Sequence, residues 1–162
     1  MEQIQEFKAS QESTGEPQAN DLKLKNQQEP SQEQEILNSL NGFYGSENFY
    51  KDFLGCVLTD GFKFFCEKCS CYWLFTDIAS VLICNSKFKQ EGFILGKIKV
   101  NKDKSAIVEL YRDYDENNKK FNAENLLYTQ KYKYTDFPLK EYSFYICLNE
   151  LNTFTFMLKS EY

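Results

Sequence analysis

The sequence predicts an α+β domain in which two to three N-terminal helices pack on one face of an antiparallel meander of four to five strands. Three observations predict it. Apolar residues recur at helical spacing up to about Ile83, the period falls to two after Lys89, and turn residues then divide the chain into five short alternating runs.

The 162 residues suffice for one such domain and a tail. Residues 1–34 are rich in Gln and Glu, hold two of the three prolines, and contain a single aromatic, Phe7. A segment with so little apolar surface does not offset its ordering entropy, so disorder is expected over 1–34 and one domain over 35–162.

Each element has its own signal. Ser31 is an N-cap residue for a first helix, with Glu33 and Glu35 in its first turn and Ile36, Leu37 and Leu40 at helical spacing; Asn41-Gly42 ends it. The glycine-broken stretch that follows predicts only one helical turn, at Ser46–Tyr50. Thr59-Asp60-Gly61 supplies capping residues for a second helix, in which Phe62, Phe65, Cys66 and Cys69 fall at i, i+3, i+4 and i+7. Ser70 marks a break before a third helix, Tyr72 to Ile83, with Leu74, Ile78 and Val81 along one stripe. Then Ile94–Val100 and Ala106–Arg112 alternate about the turn Asn101–Lys104 as a hairpin. The loop DYDENNKKFNAE leads to Leu127–Tyr134, and two further strands follow at Tyr142–Leu148 and Thr153–Leu158. Phe154, Phe156 and Leu158 of the last match Phe144, Ile146 and Leu148 in character.

Charge and composition exclude several functions. The net charge is −5, and residues 1–34 carry most of it, with seven acids against three lysines, so the domain is nearly neutral. A phosphate-binding domain shows a basic surplus, and arginine is the residue of bidentate base and phosphate contacts; here Arg112 is the one arginine, which argues against a nucleic-acid partner. No run is long and apolar enough to span a bilayer, and no secretory leader opens the chain, so a soluble cytoplasmic protein is expected, with its six cysteines as thiols.

Three sets of residues are candidates for chemistry. CEKCSC, Cys66 to Cys71, has the CxxC spacing of zinc sites, yet the chain has no histidine and no second CxxC among Cys56, Cys84 and Cys147. A redox CxxC opens a helix, whereas Cys66 and Cys69 lie a turn inside one. At this spacing cysteine acts as a small hydrophobe, so packing is the stronger reading, with neither metal nor cofactor. Asp113, Asp115, Asn117 and Glu124 occupy positions 1, 3, 5 and 12 of an EF-hand loop, but Asn118 replaces the required glycine and the flanks read as strands, which favours a solvated loop. Asp60, Asp77 and Asp136 each follow a threonine, and Asp77 shares a stripe with Trp73, Ser80 and Cys84 on an apolar helix, where a buried acid would have a raised pKa. Capping for Asp60, a turn for Asp136 and a surface or hydrogen-bonded acid for Asp77 are the stronger readings.

The segments Glu47-Asn48-Phe49-Tyr50, Leu58-Thr59-Asp60-Gly61, Tyr72-Trp73-Leu74, Ile78-Ala79-Ser80, Ile98-Lys99-Val100-Asn101, Tyr134-Thr135-Asp136-Phe137-Pro138-Leu139 and Ser160-Glu161-Tyr162 carry a resemblance. From about residue 40 to 162 the chain resembles a small bacterial and phage family of unknown function. The resemblance implies occurrence near mobile elements but no reaction and no catalytic residues. It also implies small residues at positions 66, 69 and 71, in keeping with packing.

Two functions follow. The first is a non-catalytic interaction or regulatory protein that binds a protein partner through its aromatic sheet face or the groove beside Trp73, with Asp77, Ser80, Asp60 and Asp136 as candidate binding residues. The second is a metal-dependent hydrolase or nucleic-acid-processing enzyme that gathers Asp60, Asp77 and Asp136 around a divalent ion. Binding is favoured; the oligomeric state is left open.

Overall fold

Ser31 begins the first helix as expected: its side chain accepts the Gln34 N–H at 3.3 Å, and α1 runs Gln32–Leu40 with Ile36 and Leu40 buried. The computed structural model describes residues 30–112 and 123–162. Of the disorder expected over residues 1–34, residues 1–29 lie outside the described residues while Gln32–Gln34 open α1; the EF-hand-like positions Asp113, Asp115 and Asn117 also lie outside them.

The chain next forms a short hairpin, β1 (Phe49–Lys51) and β2 (Val57–Thr59). This corrects the expected helical turn at Ser46–Tyr50. The backbone N–H groups of Glu47 and Asn48 turn to the Asp60 carboxylate at 3.0 and 2.9 Å, and the segment runs on as an edge strand. Helix α2 (Asp60–Lys68) starts from Thr59, whose hydroxyl accepts the Phe62 N–H at 3.2 Å. The break falls at Ser70, in the left-handed region with φ 51°, and α3 runs Tyr72–Cys84.

Five strands follow: β3 (Phe93–Val100), β4 (Ala106–Arg112), β5 (Leu126–Tyr132), β6 (Glu141–Leu148) and β7 (Phe154–Leu158). They are the five that the alternation predicts. The sheet they build is different: seven strands in the order β1-β2-β7-β6-β3-β4-β5, with β2 parallel to β7 and every other pair antiparallel. The α+β class holds, while the four- to five-stranded antiparallel meander is corrected on two points. Strand β6 returns past the hairpin to the far side of β3, and the β1–β2 pair extends the sheet beyond β7.

The helix-facing side of the sheet explains the return. Phe144 of β6 lies opposite Gly96 of β3, where a Cβ would meet the Phe144 ring at 2.4–2.5 Å. Only glycine leaves room for that ring. Phe144 in turn packs against Phe62 of α2, with ring centroids 5.2 Å apart, and Phe156 of β7 meets the same Phe62 at 5.2 Å. Phe62 is fully buried and forms the hub between helix and sheet. Among the described residues no helix is long and apolar enough to cross a membrane.

Candidate functional site

The most elaborate polar arrangement surrounds the start of α2. Asp60 is the first helical residue, and its carboxylate turns outward to the preceding loop. It accepts the Glu47 and Asn48 backbone N–H groups at 3.0 and 2.9 Å and the Tyr50 hydroxyl at 2.9 Å. Its own N–H donates to Ser46 Oγ at 2.6 Å, which closes the loop back on itself. Asp60 is held below its ordinary pKa, first by the Asn48 N–H; burial opposes this, and the Tyr50 hydroxyl and the Glu47 N–H add to the lowering. An acid so held stays ionised, so it serves to fix the loop and is unsuited to donate a proton.

On the other side of the same helix start, the chain's end docks. Glu161 accepts the Thr59 hydroxyl at 2.6 Å and the Leu158 N–H at 2.9 Å on Oε2, and the Gly61 N–H at 2.9 Å on Oε1. A carboxylate at a helix N-terminus meets both free N–H groups and the favourable end of the helix dipole. Gly61 is required there, since a Cβ would lie 2.6–2.8 Å from the Glu161 carboxyl atoms. Composition and periodicity gave no sign of Glu161. The available signal was the glycine directly after Thr59-Asp60, a residue that a helix start does not otherwise call for.

The loop and α2 enclose an open cleft of about 720 Å³. Tyr44 and Asn48 stand on the loop side, and Lys63, Phe64 and Glu67 on the helix side, with Asp60 at the base. Phe43 packs on Phe64 at 5.2 Å and the Lys63 ammonium lies 5.1 Å from the Tyr50 ring centroid, so the walls are braced. Beyond the cleft lies the free edge of β1. Tyr44 on the cleft wall, Phe49 in β1 and Phe53 just after it are 85, 62 and 85 % exposed.

The other predicted site residues lie elsewhere. Trp73 is half-buried and meets Tyr132 of β5 edge-on at 5.0 Å. The Tyr132 hydroxyl donates to Asp77 Oδ2 at 2.9 Å, and its pKa is pushed up by burial and then by that acid. Asp77 is exposed, so the reading as a hydrogen-bonded surface acid fits it and the buried-acid reading does not. Ser80 donates to the Thr76 carbonyl at 2.8 Å within α3. Asp136 is exposed in the β5–β6 connection, beside Thr135, whose N–H reaches the Lys104 carbonyl at 2.8 Å. Asp60 is tied to Tyr50 of β1 and Asp77 to Tyr132 of β5, the two opposite edges of the sheet. Six strand spacings separate these edges, roughly 29 Å before twist, so these acids do not share one ion at oxygen-ligand distances.

The cysteines of CEKCSC face inward: Cys66 and Cys71 are fully buried and Cys69 is 4 % exposed. The Cys69 thiol is pushed well up by its hydrogen bond with Cys71 and then by burial, and the Cys71 thiol is pushed up by Cys66 and by burial against an opposing hydrogen bond with Cys69. Among the described residues no three His, Cys, Asp or Glu side chains are grouped to hold a metal ion.

Residues 34–162 match the model of a family described as "Family of unknown function (DUF6876)". The chain belongs to this family. Comparisons with curated proteins and with solved structures found no match. The DUF6876 match runs from within α1 to the last residue and so spans the whole sheet. In this DUF6876 chain, the neighbouring segments Glu47–Tyr50 and Leu58–Gly61 and the distant Ser160–Tyr162 meet at the start of α2 through Asp60 and Glu161.

Proposed function

We propose that this DUF6876 domain is a non-catalytic interaction module that binds another protein through the cleft beside α2 and the β1 edge. The observation that carries this reading is the exposure of three large aromatics, Tyr44, Phe49 and Phe53, along the one segment that forms an unpaired strand edge. Exposed large aromatics are characteristic of protein-binding surfaces, and an open edge offers its N–H and C=O groups to an added strand. The Asp60 hydrogen bonds support it further, because a loop held before binding loses little entropy on binding. A regulatory role inside the cell belongs to the same reading; six free thiols support a reducing compartment.

The test uses affinity capture in cells with the full chain and with a Tyr44→Ser, Phe49→Thr, Phe53→Ser variant, followed by calorimetric titration of the purified partner. The expected result is a partner whose Kd rises at least tenfold for the variant while the domain's unfolding midpoint is unchanged. A purified partner that binds both proteins equally would overturn the reading.

A further inference from the structure

Where β3 ends and β6 begins, the β3–β4 turn and the β5–β6 connection enclose a second groove, of about 580 Å³. Its floor is apolar, formed by Val100 and Pro138 over the buried Phe137 and Leu139. The rim is basic. Lys99, Lys102 and Lys104 line it, and Lys131 and Lys133 stand beside them at the end of β5, which the register sets against the start of β4 (Ala106↔Tyr132). All five lysines are exposed, and among the described residues none has a carboxylate within salt-bridge distance.

The acids nearby are mostly committed. Glu33 pairs with Lys140 at 3.3 Å, Glu141 with Lys97 at 3.2 Å, and Asp103 accepts the Ser105 N–H and hydroxyl at 3.0 and 2.6 Å. Asp136 is exposed among the lysines. The result is a local positive surplus on a chain whose net charge is −5. A surplus of this sign above an apolar floor is complementary to a ligand that carries both carboxylates and an apolar side chain.

We infer that this groove docks an acidic peptide segment of a partner protein, with an apolar side chain on Val100 and Pro138 and its carboxylates on the lysine rim. The site is separate from the β1 edge and stands whether or not that edge binds a partner. A nucleic acid fits it less well. A phosphate backbone presents unbroken charge, whereas Asp103 and Asp136 interrupt the lysines, and no arginine is present, Arg112 being paired with Glu91 at 2.8 Å.

The probes are fluorescein-labelled peptides added to the full chain: one of glutamate pairs separated by leucines, one with serine in place of leucine, and a labelled oligothymidylate. Fluorescence anisotropy should show saturable binding of the leucine peptide that weakens as salt is raised from 50 to 300 mM. The serine peptide should bind several-fold more weakly. A Lys102→Glu, Lys104→Glu variant, altered only in an exposed turn, should lose about tenfold in affinity, since each reversal replaces an attraction with a repulsion. The inference is overturned by any of three results: no saturation with the leucine peptide, equal affinity for the charge-reversed variant, or oligothymidylate that binds more tightly than the peptide. Salt-reversible self-association through the same lysines, with no peptide bound, would likewise overturn it.

Discussion

Gly61 and Glu161 approach so closely that the residues form one unit: a methyl group on Gly61 would lie 2.6–2.8 Å from the carboxyl atoms. Gly61→Ala should therefore expel the carboxylate and cost about 1–2 kcal/mol, close to the loss expected for Glu161→Ala, which removes charge-assisted hydrogen bonds worth about 2 kcal/mol together. In the Glu161→Ala background the same Gly61→Ala change should be neutral or stabilising by up to ~1 kcal/mol, because alanine is then merely the better helix former. Urea unfolding of the four proteins measures this, and additive losses would separate the two residues. Asp60 makes a second prediction at this scale. Its folded pKa lies below the ordinary 3.8, so its ionised form stabilises the fold. That contribution is complete above about pH 5 and is lost as pH falls through the folded value. The stability gap between the parent and Asp60→Asn, measured by urea unfolding, should therefore be full at pH 6 and narrow at pH 3. Neither role was legible from the residue alone: Asp60 reads as a helix cap, and the hydroxyl of Thr59 holds that place instead.

Among the elements, α2 and α3 were legible because Phe62, Phe65, Cys66, Leu74 and Ile78 keep a strict helical period, and all five are buried. Strands β3 to β7 were legible for the same reason at period two. Strands β1 and β2 were not, since three residues are too few for alternation to show and β1 is exposed throughout. The buried face of α2 gives a prediction about the thiols. Cys66→Ala with Cys69→Ala should be tolerated at a loss of about 0.5–1.5 kcal/mol each, whereas Cys66→Asp should unfold much of the population, because an unpaired carboxylate has no partner in that core. Denaturant unfolding under reducing conditions separates the cases. A disulfide-exchange reagent should label exposed Cys84 at once and leave Cys56, Cys66, Cys69 and Cys71 unlabelled until the protein unfolds. Burial, and then the charge of Asp52, pushes the Cys56 thiol up to about 12, which slows its reaction further.

For the whole molecule, the class was legible and the strand order was not. Insertion of β6 beside β3 depends on the Gly96–Phe144 contact and on Phe62 above it, and no local pattern records contacts between residues so far apart in sequence. The site divides in the same way: the aromatic content was visible, but the exposure of Phe49 on an open strand edge depends on the unread hairpin. The N-terminal boundary gives a prediction at this scale. Deleting residues 1–29 should leave the unfolding midpoint nearly unchanged, while deleting 1–34 also removes the Ser31 cap and should lower the midpoint by several degrees, on the order of 1 kcal/mol. Equal midpoints for the two deletions would show that the cap contributes nothing.

Binding of a protein at the β1 edge is the proposed action of this DUF6876 domain. Chemical-shift mapping of the captured partner on the isotopically labelled protein tests it most directly. Shifts should concentrate in residues 42–53 and on the outer face of α2 at Lys63 and Glu67. Shifts centred on Trp73, Asp77 and Ser80, with the β1 edge silent, would contradict it.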